Sequence, residues 1–184
     1  MSIRLLNKNC VSKEDRLLIT TLAPVIGENT SKQFIRMFDD VDTSLQLSAE
    51  YQQNVGRRVA DLKFSITMIN SSFWPRRARI HVRLPPLFKT LSSNFELFYV
   101  SRHQHREVKW LHHQSVVELT TRGLPKTHTL RCTLHQAIIL CLFNDRPSLS
   151  IEEIASMTDI PVPALQKQLK PLFFPKFQLL VKTH

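Results

Sequence analysis

The sequence lacks most of the features that mark membrane, secreted or low-complexity proteins. Its 184 residues contain no apolar run of the roughly 18 residues that a membrane-spanning helix needs. The N-terminal stretch MSIRLLNKNC has no long apolar core ahead of a small-residue cleavage site, so we expect no secretory signal. Only three glycines are present, which argues against a linker-rich chain. The three cysteines are odd in number and lack close pairing, which favours reduced thiols in an intracellular protein, cytoplasmic or nuclear.

Catalytic and metal-binding motifs are also missing. The chain has no G-x-S-x-G, H-E-x-x-H, P-loop or G-x-G-x-x-G motif, and Cys10 has no evident histidine partner. A structural zinc site takes four converging Cys or His ligands, commonly including a CxxC pair, and no CxxC occurs. We therefore predict no enzyme, no metal and no cofactor. The residues that nevertheless have ligand-like spacing are His103 with His105, His112 with His113, and Cys132 with His135.

The chain does carry an excess of positive charge. Its formal net charge of +10 predicts attraction to nucleic acid, phosphate groups or acidic protein tails. The stretch SFWPRRARIHVRLP concentrates this charge, because Arg76, Arg77, Arg79 and Arg83 have no acidic residue nearby in the sequence. We treat these four arginines, the basic patch, as a candidate site for an anion or an acidic partner.

Helical periodicity dominates the first third of the chain. Ser12 begins an S-x-x-D capping pattern, so the first helix should start there and end near Pro24 and Gly27. A second helix should open at Thr30 or Ser31. Its predicted buried stripe is Phe34, Phe38, Val41 and Leu45, and its predicted solvated face carries Asp39, Asp40 and Asp42.

The middle of the chain alternates with a period of two residues, which predicts half-buried strands. Pro85-Pro86 interrupts the pattern and should open an inserted helix, with a stripe of Leu87, Leu91, Phe95 and Phe98. A tight turn near His112–Gln114 should join two of the strands. The strand candidates are Leu62–Asn70 with Leu62, Phe64, Ile66 and Met68 on one face, Ile80–Leu84, Val108–Trp110, Val116–Leu119 and Thr127–Thr133.

The last third predicts a helix-turn-helix. The run LHQAIILCLF is apolar nearly all round and should form a buried helix, Ser150 begins an S-x-x-E capping box, and a leucine-striped helix follows a short turn. The segment Phe173–Val181 is a candidate wing. DNA readers place the second helix of this motif in the major groove, so a DNA-binding function stays an alternative. The side chains that this helix would expose are Gln166, Lys167, Gln168 and Lys170.

The order of elements predicts an α+β fold. We expect the end of a helical bundle over residues 1–56, and a small, mostly antiparallel sheet with an inserted helix over residues 57–133. A winged-helix module should follow over residues 134–184.

Four sequence blocks occur in an order that points to a known family. They are SKQFIRMFDDVDTSLQL (31–47), FWP (73–75) followed by LPP (84–86), FELFYVSRHQHREVKW (95–110), and LHQAIILCLFN (134–144) running into SIEEIASMTDIP. Together they resemble the cullins, the scaffolds of cullin–RING ubiquitin ligases, over nearly the whole chain. The tail LKPLFFPKFQLLV is most similar to the cullins that serve SOCS-box receptors. The resemblance implies a non-catalytic scaffold.

The resemblance also implies how such a scaffold acts. A cullin sheet accepts an N-terminal strand of a RING-box protein by β-augmentation. That protein recruits a ubiquitin-conjugating enzyme, whose acidic tail is attracted by a basic canyon. By analogy, Leu62–Asn70 and Val108–Leu119 would bind the RING-box strand, and the basic patch would steer the enzyme. The residues that the resemblance implies in the strand site are Leu62, Phe64, Ile66, Met68, Val108, Trp110, Val116 and Leu119, and those in structural roles are Phe73, Trp74, Pro75 and Gln136.

The chain also departs from the family pattern. Cullins are much longer, and we find no counterpart here of the helical repeats that hold substrate adaptors or of the second winged helix with its modified lysine. The family loop H-x-G-R-K-L reads HQHREV, with His105 in place of a glycine that would permit a positive φ. A poorly folding remnant with an unpaired, aggregation-prone sheet edge is a further alternative.

Overall fold

The computed structural model describes residues 12–54, 62, 64–75, 79–103, 105–121, 126–174 and 179–182. The described parts of Met1–Arg77 and Ser93–Gln104 form one compact unit, unit 1, and those of Ala78–Ser92 and His105–His184 form a second, unit 2. The domain boundaries after residues 56 and 133 stay a prediction. Among the helices that the structure describes, none combines the length and the apolar character needed to cross a membrane.

Six α-helices and two strands are found in the described residues. The helices are α1 (Lys13–Ile26), α2 (Glu28–Asn54), α3 (Pro86–Arg102), α4 (Leu134–Leu142), α5 (Ile151–Thr158) and α6 (Val162–Leu169); 3-10 turns cover His112–Gln114 and Lys170–Phe173; the strands are β1 (Val116–Thr120) and β2 (Thr129–Thr133).

Unit 1 is built on the long helix α2. The capping box between Ser12 and Asp15 starts α1 as predicted, and Gly27, at φ 87°, separates α1 from α2. That φ lies in the region that only glycine adopts readily, which explains why the chain can turn there without strain. The side chains that form the core beside α1 and α2 are Ile19, Met37, Phe38, Val41 and Trp74.

An aromatic cluster packs α2 against the second half of α3 within unit 1. The ring of Tyr51 lies edge-on to Phe95 and Phe98, with centroid distances of 5.4 and 5.2 Å. Offset and edge-on ring pairs of this kind stabilise a core beyond the area that they bury. Two ends of the predicted stripes are wrong, however. Leu45 and Leu87 are each 45% exposed, because the buried contacts fall on the adjacent positions, Ser44 and the half-buried Phe88.

Unit 2 surrounds α4, which is buried as its apolar sequence predicts. Thr133 caps α4 through a capping box with Gln136, and Ser150 caps α5 through one with Glu153. Helices α5 and α6 pack their apolar faces onto α4, and the extended chain near Val82 joins the same core. Its buried members are Val82, Leu134, Ile138, Ile139, Ile154, Ile160, Leu165, Leu169 and Leu172.

The sheet differs from the predicted one. Strands at Val116–Leu119 and Thr127–Thr133 are confirmed as β1 and β2, which pair with each other in antiparallel register from Val116↔Thr133 to Thr120↔Thr129. The predicted hairpin of Val108–Trp110 with Val116–Leu119 is wrong. The hydrogen bonds of the 3-10 turn are local, from Gln114 N to Leu111 O at 2.9 Å and from Ser115 N to His112 O at 3.1 Å. The chain therefore enters β1 without pairing it with Val108–Trp110.

Two further strand predictions are wrong in their pairing and right in part in their burial. Leu62–Asn70 and Ile80–Leu84 join no ladder within the described residues. Their side chains alternate between covered and exposed over residues 64–68 and 80–84, whereas Leu62 is 44% exposed. The helices α4 to α6 follow in the predicted order. Because the predicted wing over Phe173–Val181 lies partly outside the described residues, the winged helix stays a prediction. The described residues therefore form a mixed helical fold with a small antiparallel sheet.

Candidate partner-binding site

The extended segment Phe64–Asn70 lies along one polar face of α2. Gln52 Nε2 donates to Phe64 O at 3.0 Å, and Met68 N donates to Ser44 Oγ at 2.7 Å. Further along, Asn70 N donates to Asp40 Oδ2 at 2.9 Å. The spacings match because four helical residues rise about 6 Å, close to the ~6.6 Å covered by two extended residues. Side chains of α2 therefore take the place of a neighbouring strand.

The predicted partner-facing side chains of this segment are only half covered. Phe64, Ile66 and Met68 are partly buried, and Leu62 is 44% exposed. The helix that holds them was predicted, but its contact with this segment was not. The sequence signal that could have revealed this contact is the recurrence of polar residues at positions 40, 44 and 52, which lie on one side of the helix.

The FWP residues form a packed corner in unit 1. Trp74 is 5% exposed and its Nε1 donates to Asp40 Oδ2 at 2.7 Å. Phe73 O accepts from Gln33 Nε2 at 2.7 Å, while Pro75 is exposed. Asp40 thus binds two donors at once and is not part of a solvated face as predicted. Its neighbours Asp39 and Asp42 pair with the Arg16 guanidinium at 3.0 and 2.6 Å.

In unit 2, one edge of β1 has no neighbouring strand among the described residues. Leu134 N donates to Ser115 O and Thr121 N donates to His128 O, each at 2.9 Å, at the two ends of the ladder. Since antiparallel pairs alternate, the backbone groups of Val116, Glu118 and Thr120 point away from β2. No hydrogen bond satisfies them within the part of the chain that the structure describes.

The other residues predicted for the strand site lie close to β1 in the sequence but differ in their burial. Val116 is 53% exposed on the outer face, whereas Leu119 is half-buried on the inner one. Val108 and Trp110 are also half-buried, and the indole of Trp110 stacks on His112 with ring centroids 5.9 Å apart.

The basic patch is less uniform than its sequence suggests. Arg76 and Arg77 lie outside the described residues, and Arg79 is exposed. Arg83 makes a two-point ion pair with Asp159, from Nε at 3.1 Å and from Nη2 at 3.2 Å. Its backbone N–H also donates to Thr158 O at 2.7 Å. The acid that pairs with Arg83 is distant in the sequence, which is why a local charge count missed it.

The predicted structural residue Gln136 links α4 to α6. Its Oε1 accepts from Thr133 N at 3.1 Å, and its Nε2 donates to Gln168 O at 3.2 Å. Thr133 Oγ1 donates to Gln168 Oε1 at 2.8 Å. Gln168 is therefore half-buried, with its Oε1 and its backbone O bonded at the start of α4, and is not the fully exposed side chain that the DNA-reading alternative expected. Gln166, Lys167 and Lys170 remain exposed.

The described histidines and cysteines do not converge on a common point. Among the described residues, no three His, Cys, Asp or Glu side chains are placed to hold a metal ion. Burial raises the pKa of the Cys132 and Cys141 thiols, so both favour the neutral form. His105 has the positive φ of 62° that the family's glycine would permit. His135 is completely buried on α4.

Comparison with known proteins identifies the family. Residues 68–184 match the family model described as the cullin alpha+beta domain. The chain is 28% identical over 162 residues to Cullin-1 of Schizosaccharomyces pombe, covering 85% of this chain and 21% of that protein. It is 27% identical over 179 residues to Cullin-3 of Dictyostelium discoideum, covering 96% of this chain and 23% of the relative. The chain belongs to the cullin family. It spans about a fifth of the length of these relatives.

Proposed function

We propose that the chain is a non-catalytic scaffold segment of a cullin–RING ubiquitin ligase. In this proposal the outer edge of β1 accepts a strand from a RING-box protein. The observation that carries it is the row of unpaired backbone groups at Val116, Glu118 and Thr120. A ubiquitin-conjugating enzyme would be reached only through the RING-box partner, in the cytoplasm or nucleus. We place no substrate-adaptor site in these residues.

The chemistry of β1 suits an added strand. Each new backbone hydrogen bond is worth about 1 kcal/mol net, so affinity must also come from side chains. Val117 and Leu119 lie half-buried on the inner face, and Val117 packs against the core of unit 2. A partner strand with apolar residues at alternate positions would extend that face. Left uncovered, the same edge would favour aggregation.

Of the two segments predicted to hold the strand, β1 is the better candidate. In Phe64–Asn70, backbone groups of Phe64, Met68 and Asn70 already bond with α2. Exchange of those bonds for bonds to a partner would gain little. The exposed Arg79 can add electrostatic steering of an acidic partner, and Arg83 less so because Asp159 neutralises it.

The test is co-expression with a RING-box protein, followed by size-exclusion chromatography at low and high salt. Glu118→Pro removes an outward N–H from the β1 edge, where proline is tolerated. Arg131→Pro makes the same change on the outer edge of β2, and residue 131 lies directly opposite residue 118. We expect wild type and Arg131→Pro to form a salt-resistant complex and Glu118→Pro to lose it.

Each outcome is decisive for a separate part of the proposal. Equal binding by both proline variants would place the strand elsewhere. A wild-type chain that ignores the RING-box protein but binds duplex DNA, with affinity falling steeply as salt rises, would overturn the scaffold function. It would instead assign phosphate contacts to Lys167 and Lys170 on α6.

A further inference from the structure

We propose that His135 is an acid-sensitive latch in unit 2: protonation of its ring loosens α4 and the β1–β2 sheet that packs on it. The imidazole is 0% exposed. Among the described residues, neither Nδ1 nor Nε2 has a hydrogen-bond partner. Buried polar groups are nearly always hydrogen-bonded, so an imidazole with two unsatisfied nitrogens is an exception that calls for a cause.

Three features of the surroundings disfavour a charged ring. Burial removes the hydration that an imidazolium needs. His135 is the second residue of α4, and the N-terminal end of a helix carries partial positive charge. The 3-10 turn brings His113 and His112 within electrostatic reach. Burial first, then His113 and His112, lower the pKa of His135.

Among the described residues, the elements around α4 offer no buried carboxylate that could form an ion pair with the protonated ring. Cys132 on β2 and Cys141 on α4 have raised pKa values and stay neutral. The remaining titratable groups on the packed elements are exposed: Arg79, His81 and Arg83 near Val82, Glu118 on β1, Arg131 on β2, Glu152 and Glu153 on α5, and Lys167 on α6.

The sign of the pH effect follows from the lowered pKa. The unfolded ring titrates near pH 6.5, and the folded ring titrates below that. The unfolded state therefore binds the proton first as the pH falls. Between the two pKa values, the ratio of molecules with α4 packed to molecules with α4 loosened should fall by up to about tenfold for each pH unit of acidification. Above the unfolded pKa, the stabilisation is fully present.

Hydrogen exchange with mass spectrometry on the whole chain tests the latch. Exchange is measured at about pH 7.5 and about pH 5.5, on either side of the unfolded pKa. Amides of α2 serve as the internal reference for the effect of pH on exchange chemistry. We expect α4 of the wild type to lose protection on acidification, and His135→Leu to keep it. His128→Leu, a change at an exposed histidine just before β2, should behave like the wild type.

An equal acid-induced loss of α4 protection in His135→Leu and wild type would overturn the proposal. If His135→Leu does not fold, the wild-type chain alone still tests the proposal. Its His135 ring is followed by NMR through the ε1 proton. Titration of that ring in the folded state at or above the unfolded pKa of about 6.5 would overturn the proposal, and titration below it, together with opening of α4, would support it. Neither readout needs a RING-box partner.

Discussion

Replacement of Asp40 by alanine should be among the most destabilising single changes in unit 1. Its Oδ2 accepts from Trp74 Nε1 at 2.7 Å and from Asn70 N at 2.9 Å. Asp40→Ala leaves the nearly buried indole N–H without an acceptor, at a cost of about 1–3 kcal/mol, and adds a smaller cost at Asn70, where water has access. We expect a loss of about 2–4 kcal/mol in the free energy of unfolding.

Urea unfolding followed by far-UV circular dichroism measures this loss, because the signal does not depend on Trp74. Asp39→Ala is the matched control. Asp39 precedes Asp40 in α2, is 60% exposed and pairs with Arg16, so its loss should cost less than about 1 kcal/mol. Asp40→Asn keeps an acceptor oxygen and should recover part of the stability.

A double-mutant cycle of Asp40→Ala with Trp74→Phe isolates the bond between the two side chains. We expect a coupling energy of about 1–3 kcal/mol, since Asp40→Ala leaves the indole N–H unsatisfied and Trp74→Phe removes one of the two donors to Asp40. Zero coupling, or an Asp40→Ala loss no larger than that of Asp39→Ala, would refute the view that this carboxylate holds the corner.

Two further stability predictions use the same urea assay. His105→Gly should raise the free energy of unfolding by about 1 kcal/mol, because a residue with a Cβ is strained at φ 62° and glycine is not; a lower stability would contradict this. Ser44→Ala should lower it by about 1–3 kcal/mol, because the hydroxyl accepts from Met68 N at 2.7 Å and lies 2.5 Å from Met68 O. Thr43→Ala, on the exposed side of α2, is the control, and equal losses in the two variants would count against the α2 bridge.

Local signals predicted the helices well. The capping boxes at Ser12 and Ser150 fixed where α1 and α5 begin, because their hydrogen bonds join residues only three apart. The apolar run over residues 134–143 predicted the burial of α4, since no polar face was available for solvent. At the turn where the family pattern has glycine, His105 adopts a positive φ, which the histidine in the sequence did not predict.

Long-range polar contacts could not be predicted in this way. Arg83 and Asp159 are 76 residues apart, so a search for nearby acids left Arg83 as a free cation. Asp40 was assigned to solvent because the fold alone brings Trp74 and Asn70 to it. Alternation at 64–70 correctly indicated half-burial. It could not indicate that the partner would be a helix.

Sheet edges set a stricter limit on sequence reasoning. Side-chain alternation reports the faces of a strand, but the predicted strand site grouped Val116 with Leu119, whereas β1 places the exposed Val116 on one face and the half-buried Val117 and Leu119 on the other. The edges consist of backbone N–H and C=O groups, which every residue except proline carries alike. Which edge of β1 stays open is therefore decided by topology, by the return of the chain as β2 and the turn before β1. For the same reason, no side-chain substitution on β1 tests strand addition as directly as Glu118→Pro paired with Arg131→Pro, because only proline removes the backbone donor itself.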